Sequence, residues 1–463
     1  MVSRALALIL LIVGVGVGAG VTYAGLLAGG EISGGLCSSG RTLTIGLLSD
    51  KTDGLSSQGV RAADAALIAI NDINSYLSSA GCNLKFSVSI SDYQLLSDVA
   101  LTQLQAFGAA GVQVVVGPLN SGALQNLIQY SNTNHIVLIS PSSTSAALAI
   151  PASSTKYYFR TAPDDRWQGM ADARMIQAEG ATKLIVVQRQ DTYGDALANA
   201  TALDFNYLLT NNAGTVNTNG CVSSNTVCVI KYAKDASDFT TTITALYNAF
   251  TALNATSNIN KVAISAVSFE EFSQMIYQTN QQHPNLLGGK LPGCGSVAGC
   301  TGTGPTSIWT GTDGEAQDTV ISSNSTSGTY FANNRLPSTI YGFLNNTKAE
   351  VLDNTFSSTY SGNVCDNYCR GTYDDMWLGA LGTLSAGAYD GTKIQAIMLT
   401  VAANYYGVTG WNGLDINGDR IATIYQVWKV IPGGTSPTWV YAGSWTADAT
   451  PNTPGTLSDF NPY

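Results

Sequence analysis

The stretch Thr42–Asn74, TLTIGLLSDKTDGLSSQGVRAADAALIAINDIN, decides the fold prediction for this chain. It begins with an apolar run that does not alternate with polar residues, which is typical of a strand buried on both faces of a parallel sheet. A loop containing Gly54 follows, and apolar residues then recur at helical spacing up to Asn74. A strand, a loop and a long amphipathic helix in this order predict the first repeat of a parallel α/β domain.

The same order of elements recurs along the chain. The apolar runs that predict strands are Leu43–Leu48, Leu84–Ile90, Val112–Val116, Ile136–Ile139, Lys183–Val187, Val227–Tyr232 and Lys261–Ser265. The segments with helical periodicity include Ser121–Ser131, Arg166–Glu179, Asp195–Leu209 and Asp238–Phe250. The repeated alternation predicts an α/β fold with doubly wound parallel sheets.

The composition is that of a folded protein with more than one domain. The chain has 463 residues, of which 45% are hydrophobic, and this is enough apolar material for a large core. At about 150 residues for each domain, the length predicts two or three domains. Charged residues make up only 11%, and the formal net charge is -10. An acidic surface disfavours nucleic acid as a partner, because phosphate backbones are bound by clustered Lys and Arg.

The segment 1–30 predicts contact with a membrane. Arg4 is the only charged side chain before the apolar run Ala5–Gly30. This run exceeds the ~20 residues that span a bilayer and the apolar core of an ordinary signal peptide. We expect a membrane anchor or a signal with a long core, a linker at 31–40, and the rest of the chain outside the cytoplasm. A lipid attached at Cys37 is an alternative, although Leu36 stands where a small residue is expected.

Cysteine usage agrees with a location outside the cytoplasm. The chain has eight cysteines: Cys37, Cys82, Cys221, Cys228, Cys294, Cys300, Cys365 and Cys369. An even number in such a chain predicts disulfides. The last six form close pairs in sequence, while Cys37 and Cys82 each precede a predicted strand and would meet if those strands were parallel neighbours. The alternative is a zinc site at Cys365 and Cys369, but the chain has only two histidines and no Cys-x-x-Cys pair.

Sequons for N-glycosylation are also present. They begin at Asn199, Asn254, Asn324 and Asn345. Such sites are used only outside the cytoplasm. A chain rich in Asn and Thr produces sequons by chance. The sequons therefore agree with the predicted location but are not sufficient to establish it.

Two loops have the chemistry expected of a binding site. Gly-Pro-Leu-Asn-Ser-Gly-Ala (117–123) and Ser-Pro-Ser-Ser-Thr-Ser-Ala (140–146) each follow a predicted strand. Ligands of parallel α/β sheets bind beyond the carboxyl ends of strands, where helix N-termini present N–H groups. Hydroxyl groups at such a position suit a carboxylate ligand. The alternative is that Ser121 and Thr144 only cap their helices.

At this point the chain resembles a known family. Its segments follow the order found in the leucine/isoleucine/valine-type solute-binding proteins of ABC transporters, from about Leu43 to Val430. The segments are the opening stretch, VVVGPLNSGALQNLIQYSNTNHIVLISPSSTSAALA, YYFRTAPDDRWQGMADA, DTYGDALANA, DASDFTTTITAL, TYDDMWLGALGTL and GVTGWNGLDINGDRIATIYQVWKV. No single motif is decisive, and the prediction rests on their common order.

The resemblance implies a type I periplasmic-binding fold, in which two α/β lobes joined by three hinge crossings close on a ligand. Lobe 1 is expected at 41–160 and 343–407, and lobe 2 at 161–342 and 408–463. The implied function is that of an extracytoplasmic receptor, without a cofactor, that captures an amino acid or a related small solute. The implied partner is an ABC transporter permease.

The resemblance also implies binding residues. By position, Ser121, Ser142 and Thr144 match first-lobe residues that hold the carboxylate and ammonium of the amino acid. Tyr193 matches a second-lobe tyrosine that covers the ligand, and Asp313 falls where the family places an acid for the α-ammonium. The family acid is the longer Glu, so the shorter Asp313 reaches less far or serves a different ligand.

Departures from the family pattern predict a side-chain pocket more polar than one for leucine. Gln58 stands where branched-chain binders can carry a tyrosine, and AVSFEE at 266–271 lacks the tyrosines often found there. Further pocket candidates, each with a packing role as the alternative, are Asp50, Gln58, Phe269 and Trp309.

Two segments are interpreted as structural. The insert 291–306, with its Cys294–Cys300 loop, has no family counterpart and is expected at the surface. The run Asp415-Ile-Asn-Gly-Asp-Arg has acids like those of a calcium loop, but its glycine is misplaced for one. Asn417-Gly418 instead predicts a type I′ hairpin turn.

Other functional classes fit less well. Gly-x-Ser-x-Gly, His-Glu-x-x-His and phosphate-loop motifs are absent from the sequence, and general-base chemistry would depend on carboxylates such as Asp374 and Asp375. We therefore expect no enzyme and no metal site. An amide- or urea-type sensor of the same fold stays open, as does a structural surface-layer protein, although the latter needs no paired ligand loops.

Overall fold

The computed structural model describes residues 35–212, 221–222, 224–254, 262–287, 307–361, 363–421, 424–434, 436–448, 450–451 and 453–461. The predicted membrane segment 1–30 and the predicted Cys294–Cys300 disulfide lie outside these residues. Within them, no helix combines the length and the apolar character needed to cross a bilayer.

The chain divides into two compact units. Unit 1 comprises Met1–Thr144, Leu148–Pro163 and Phe343–Ile421, and unit 2 comprises Ser145–Ala147, Asp164–Gly342 and Ala422–Tyr463. The sequence prediction placed 408–421 in lobe 2, whereas the structure places these residues in unit 1. The reason is that buried Asp374 of unit 1 accepts hydrogen bonds from the backbone N–H groups of Val408 and Thr409, both at 2.9 Å.

Strands and helices alternate through most of the chain. The strands are β1 (Thr42–Ser49), β2 (Lys85–Asp92), β3 (Val114–Val116), β4 (Val137–Ser140), β5 (Tyr158–Arg160), β6 (Lys183–Gln190), β7 (Val227–Ala233), β8 (Val262–Val267), β9 (Ser307–Thr310), β10 (Ser338–Gly342), β11 (Tyr406–Gly407), β12 (Gly410–Trp411), β13 (Ile424–Ile431), β14 (Thr438–Thr446) and β15 (Thr456–Ser458). The α-helices are α1 (Ser56–Ser79), α2 (Ser97–Ala109), α3 (Ser121–Asn134), α4 (Asp165–Ala178), α5 (Thr192–Thr210), α6 (Thr240–Asn254), α7 (Phe272–Gln282), α8 (Thr319–Ser323), α9 (Ser327–Asn334), α10 (Thr347–Thr359), α11 (Asn367–Ala386) and α12 (Gly391–Ala403).

Unit 1 contains a five-stranded sheet in the order β2-β1-β3-β4-β5, with every neighbouring pair parallel. Unit 2 contains a four-stranded parallel sheet in the order β7-β6-β8-β9. The predicted parallel α/β architecture is therefore confirmed. Unit 2 also has a sheet of order β10-β13-β14-β15 with antiparallel pairs, which the sequence did not predict.

The continuous apolar run of β1 is explained by burial on both faces of the sheet. Ile45 and Leu47 join one apolar cluster, which includes Ile70 of α1. Leu48 joins a second cluster, which includes Leu127 of α3. Because successive side chains of a strand point to opposite faces, a strand covered by helices on both sides needs apolar residues throughout.

Aspartate side chains fix the start of several helices. Asp164, Asp191 and Asp390 are the N-caps of α4, α5 and α12, and each accepts a hydrogen bond from a backbone N–H of the first turn. Such caps satisfy N–H groups that have no partner within the helix. The caps of α4 and α5 thereby set the starting points of the two helices that carry Gln168 and Tyr193.

The disulfides follow the predicted pairs as far as the structure describes them. Cys37 bonds to Cys82, Cys221 to Cys228, and Cys365 to Cys369. The first bond joins the segments before β1 and β2, which are parallel neighbours as expected. The zinc alternative for Cys365 and Cys369 is wrong because their sulfurs bond to each other. Among the described residues, no group of His, Cys, Asp and Glu side chains is arranged to hold a metal ion.

Candidate functional site

In unit 1, the loops after β3 and β4 lie against each other. The Ser142 hydroxyl donates to the carbonyl oxygen of Leu119 at 2.7 Å, and the Ser140 hydroxyl donates to that of Pro118 at 2.7 Å. The contact follows from the parallel pairing of β3 with β4, which brings their carboxyl ends to the same edge of the sheet. The structure therefore brings together the two loops that were singled out from the sequence.

Ser121 does not cap a helix. It is the first residue of α3 and is buried, while the N-cap is Asn120, whose side chain makes no capping bond. Asn120 Oδ1 instead accepts a hydrogen bond from the Tyr93 hydroxyl at 3.0 Å. The capping alternative for Ser121 is thus wrong, and the N-terminus of α3 presents backbone N–H groups without a side-chain cap. Such an end favours an anionic group.

Thr144 carries a buried hydroxyl in the loop after β4. Its side chain is buried, with 2% exposure, and Oγ1 has no hydrogen-bond partner among the described residues. The next helical element is a short 3-10 turn at Ala146–Leu148, so Thr144 does not cap an α-helix either. A buried hydroxyl without a partner costs about 1–3 kcal/mol. A bound ligand that bonds to this hydroxyl would recover part of that free energy.

Asp50 and Gln58 lie around the loop between β1 and α1, and both are buried. Asp50 Oδ2 accepts a hydrogen bond from the backbone N–H of Leu55 at 2.8 Å. The helix approaches this loop closely at Gly59, where an added Cβ would lie 1.4 Å from the Asp50 carbonyl oxygen. Burial and, secondarily, the negative charge of Asp50 raise the pKa of Tyr93.

In unit 2, Tyr193 and Asp313 are in direct contact. The Tyr193 hydroxyl donates to Asp313 Oδ1 at 2.7 Å, and Gln168 Nε2 donates to the same oxygen at 3.1 Å. Asp313 is 3% exposed. Burial and the nearby charge of Asp313 raise the pKa of Tyr193, so its phenol stays protonated and remains a donor. Two predicted binding residues, which are far apart in sequence, thus form one group.

Further acids surround this group. The Glu315 carboxylate accepts hydrogen bonds from the backbone N–H groups of Ser268 at 2.8 Å and Thr312 at 2.9 Å, and burial raises its pKa to about 8. Asp172 is also buried, and burial raises its pKa well above the usual range, with added contributions from the charges of Asp313 and Glu315. These raised pKa values keep Glu315 and Asp172 protonated to a higher pH than usual. A carboxylate within such a group favours a cationic partner over an anionic one.

Phe269 supports Tyr193 from one side. The two rings stack with centroids 5.2 Å apart and an angle of 15° between their planes. The Arg189 guanidinium lies over the Phe269 ring at 3.8 Å from its centroid. Arg189 is itself held by ion pairs to Asp191 at 2.6 Å and Glu271 at 2.7 Å. With these two contacts on its ring, Phe269 positions Tyr193 and does not offer a ring face on which a ligand can stack.

Trp309 is not part of the Tyr193–Asp313 group. Its indole Nε1 donates to the carbonyl oxygen of Leu286 at 2.9 Å, and its ring packs against Phe272 with centroids 5.8 Å apart. It belongs to the apolar cluster of unit 2. The packing alternative therefore describes Trp309 better than a place in the pocket.

Sequence reasoning missed several residues of these two groups. Gln168 lies near the start of a predicted helix, and its contact with Asp313 comes only from tertiary packing. Tyr425 lies on β13, and its buried hydroxyl has no partner among the described residues. Burial is the main cause of the raised pKa of Tyr425, and the negative charges of Asp164, Asp165 and Asp313 raise it further. Glu315 had a sequence signal, since it stands two residues after Asp313 in Thr-Gly-Thr-Asp-Gly-Glu.

Comparison with known proteins identifies one matching family and one relative in sequence. Residues 42–254 match the family described as periplasmic binding protein. An uncharacterised protein of Methanocaldococcus jannaschii is 25% identical over 418 residues, which are 87% of this chain and 89% of that relative.

Solved structures with the same fold extend over most of the chain. The leucine-binding protein LivK of Thermotoga maritima has a TM-score of 0.65 and 17% identity, with 86% of this chain and 97% of that chain covered. The branched-chain amino acid transporter substrate-binding protein LivJ of Streptococcus pneumoniae, solved in complex with isoleucine, has a TM-score of 0.61 and 16% identity, with 87% and 100% covered. The resemblance predicted from the sequence is therefore confirmed: residues 42–254 resemble the periplasmic binding protein family, and the chain shares the fold of solute-binding proteins of the leucine/isoleucine/valine type.

Proposed function

We propose that the protein is an extracytoplasmic receptor for an amino acid or a related small polar solute. The proposal is carried by the buried Thr144 hydroxyl, which has no partner among the described residues and lies just after the end of β4. Ligands of parallel α/β sheets bind at this end of the strands. Together with Ser121 and the N-terminus of α3, Thr144 provides donors for a carboxylate, and Ser142 joins them when its hydroxyl turns from the Leu119 carbonyl oxygen to the ligand.

The residues of unit 2 suit the other charge of an amino acid. Asp313 is a buried acid whose Oδ1 accepts hydrogen bonds from Tyr193 and Gln168, both neutral donors. A carboxylate in this setting binds an ammonium group by charge-assisted hydrogen bonds. We assign the α-ammonium of the ligand to Asp313, with Tyr193 as its supporting residue.

The ligand side chain is proposed to be at least partly polar. Gln58 and Asp50 are buried polar residues near the carboxyl end of β1. A polar ligand side chain can hydrogen-bond with such groups, whereas a hydrocarbon side chain cannot. Amino acids with amide, hydroxyl or amino groups are therefore better candidates than leucine.

The protein is further proposed to deliver its ligand to the permease of an ABC transporter, with ATP hydrolysed by other subunits. Residues 1–30 would serve as the membrane anchor or as a signal. The support is the apolar run after Arg4, the disulfides and the family match. Disulfides are typical of proteins outside the cytoplasm.

A thermal-shift screen of the purified protein against amino acids, amides, urea and short peptides tests this function. A ligand present at 100 times its dissociation constant stabilises the protein by about 2.7 kcal/mol, which gives a clear shift. We expect a shift with at least one amino acid. Shifts with amides or urea alone would favour the sensor alternative, and the absence of any shift would favour a structural protein.

A further inference from the structure

A buried ion pair lies beside the ligand loop of unit 1. Arg160, the last residue of β5, and Asp419 are both almost completely buried. The guanidinium makes a two-pronged contact, with Nε donating to Asp419 Oδ1 at 2.6 Å and Nη2 donating to Asp419 Oδ2 at 2.6 Å. This planar geometry is specific to arginine, because lysine has a single charged nitrogen.

The same guanidinium also contacts the ligand loop. Arg160 Nη1 donates to the carbonyl oxygen of Ser143 at 2.9 Å. Ser143 stands between Ser142 and Thr144, which are assigned to the ligand carboxylate. The contact is set by the sheet, since β4 and β5 are parallel neighbours in which Ser140 is paired with Arg160. Arg160 therefore joins the ligand loop to Asp419.

Asp419 is fixed in turn by a tight loop, residues 415–420. Asp415 Oδ1 accepts hydrogen bonds from the backbone N–H groups of Asn417 at 2.7 Å and Asp419 at 3.0 Å. The predicted type I′ turn is wrong, because Gly418 has a φ of 70° whereas Asn417 does not have a positive φ. The backbone N–H of Arg160 donates to the Gly418 carbonyl oxygen at 2.9 Å, so the loop is attached to β5 at a second point.

We propose that Arg160 is a positioning residue for ligand binding. By bonding to Asp419 and to the Ser143 carbonyl, it holds the Ser142 and Thr144 hydroxyls in the conformation that binds the ligand carboxylate. The proposal rests on the proposed function. It gives a role to the acidic 415–420 loop, which is the support of Arg160.

The test replaces the ion pair as a whole, with Arg160→Met combined with Asp419→Leu. Exchange of a buried ion pair for apolar residues is often neutral for stability, whereas removal of one partner leaves a buried charge. We expect the melting temperature to stay close to that of the wild type. Affinity for L-glutamine, L-serine and L-leucine, measured by calorimetry, should fall at least tenfold for each probe that the wild type binds.

Hydrogen exchange of the ligand-free protein gives a readout that does not depend on the ligand. Amides in a peptide covering 140–148 should exchange at least tenfold faster in the double variant, while peptides of α7 in unit 2 stay unchanged. If the wild type binds none of these three amino acids, the proposed function is decided by the wider thermal-shift screen, and the exchange rates still decide whether Arg160 positions the loop.

Two further variants separate positioning from general stability. Arg160→Lys retains the positive charge opposite Asp419, so we expect it to keep the fold. Because lysine has no planar fork to contact both Asp419 and Ser143, we expect faster exchange at 140–148. The control is Arg370→Met with Asp353→Leu, which removes another ion pair of unit 1, joined at 2.5 Å. This control should leave both affinity and loop exchange unchanged. Unchanged loop exchange in the Arg160 variants would overturn the proposal.

Discussion

Unit 1 and unit 2 use the same scaffold for opposite chemistry. In both, the candidate residues follow the carboxyl ends of parallel strands, after β3 and β4 in unit 1 and after β6 and β9 in unit 2. Unit 1 offers the hydroxyls of Ser121, Ser142 and Thr144 beside a helix N-terminus, whereas unit 2 offers the carboxylate of Asp313 supported by Tyr193. Because both units are built on parallel sheets, we propose that the loops, and not the strand order, decide which charge a unit binds.

The two units also differ in how their polar groups are satisfied. In unit 1 the buried Thr144 hydroxyl has no hydrogen-bond partner among the described residues. In unit 2 the candidate partner of a ligand is the acid Asp313, beside which burial raises the pKa values of Asp172 and Glu315. The variants below test the candidate residues of each unit separately.

The largest effect is expected from Asp313→Ala. Loss of a buried carboxylate that pairs with an ammonium costs about 3 kcal/mol, which corresponds to a loss of affinity of about 100-fold. Calorimetry with the amino acid that gives the largest thermal shift measures this. Asp235→Ala, at an exposed position of unit 2, is the control and should bind like the wild type. Unchanged affinity in Asp313→Ala would refute the assignment of the ammonium to Asp313.

Glu315→Gln tests the acidic character of unit 2 through pH. Because the pKa of Glu315 is raised from 4.5 to about 8, the folded protein retains a proton that the unfolded chain releases. The free energy of unfolding should therefore fall as pH rises from about 4.5 to about 8, by up to about 1.4 kcal/mol per pH unit for this group.

The variant should show a shallower decline over the same pH range, which urea denaturation at several pH values measures. Asp172 acts with the same sign and remains in the variant, so part of the decline persists. An identical slope in the wild type and in Glu315→Gln would contradict the raised pKa of Glu315.

Thr144→Val tests unit 1 with a smaller expected effect. The substitution keeps the shape of the side chain and removes a hydroxyl that has no partner among the described residues. We expect equal or higher stability in the ligand-free protein and an affinity lower by roughly fivefold, since one hydrogen bond contributes about 1 kcal/mol. Reduced stability with unchanged affinity would show that the hydroxyl serves the fold instead.

Trp309→Phe should have the smallest effect on binding. The indole lies in the apolar cluster of unit 2 and bonds to the Leu286 carbonyl, so its loss should lower the free energy of unfolding by about 1–2 kcal/mol. The affinity should stay within about twofold of the wild type, which is below 0.5 kcal/mol. A large loss of affinity without loss of stability would show that Trp309 contacts the ligand.

The parallel sheets were predictable because their strands are continuous apolar runs. β1 supplies Ile45 to one cluster and Leu48 to the other, and this double burial is visible in the sequence as an absence of alternation. The antiparallel sheet was not predicted. Its strand β13 alternates between buried and partly buried residues, and β10 is brought to it across a long separation in sequence.

The candidate site was predictable where residues follow a strand directly. Ser121, Ser142 and Thr144 stand just beyond β3 and β4, so strand prediction alone placed them at one edge. Gln168 and Tyr425 were missed because their proximity to Asp313 depends on how α4 and β13 pack within unit 2. No local spacing in the sequence records such contacts.

The most direct test of opposite charges in the two units uses one amino acid and its two truncated analogues. Calorimetry would compare the amino acid selected by the thermal-shift screen with the amine that lacks its carboxylate and the acid that lacks its ammonium. Each truncation removes the partner of one unit, so both analogues should bind at least about 100-fold more weakly than the amino acid. Binding of either analogue as tightly as the amino acid would contradict the account.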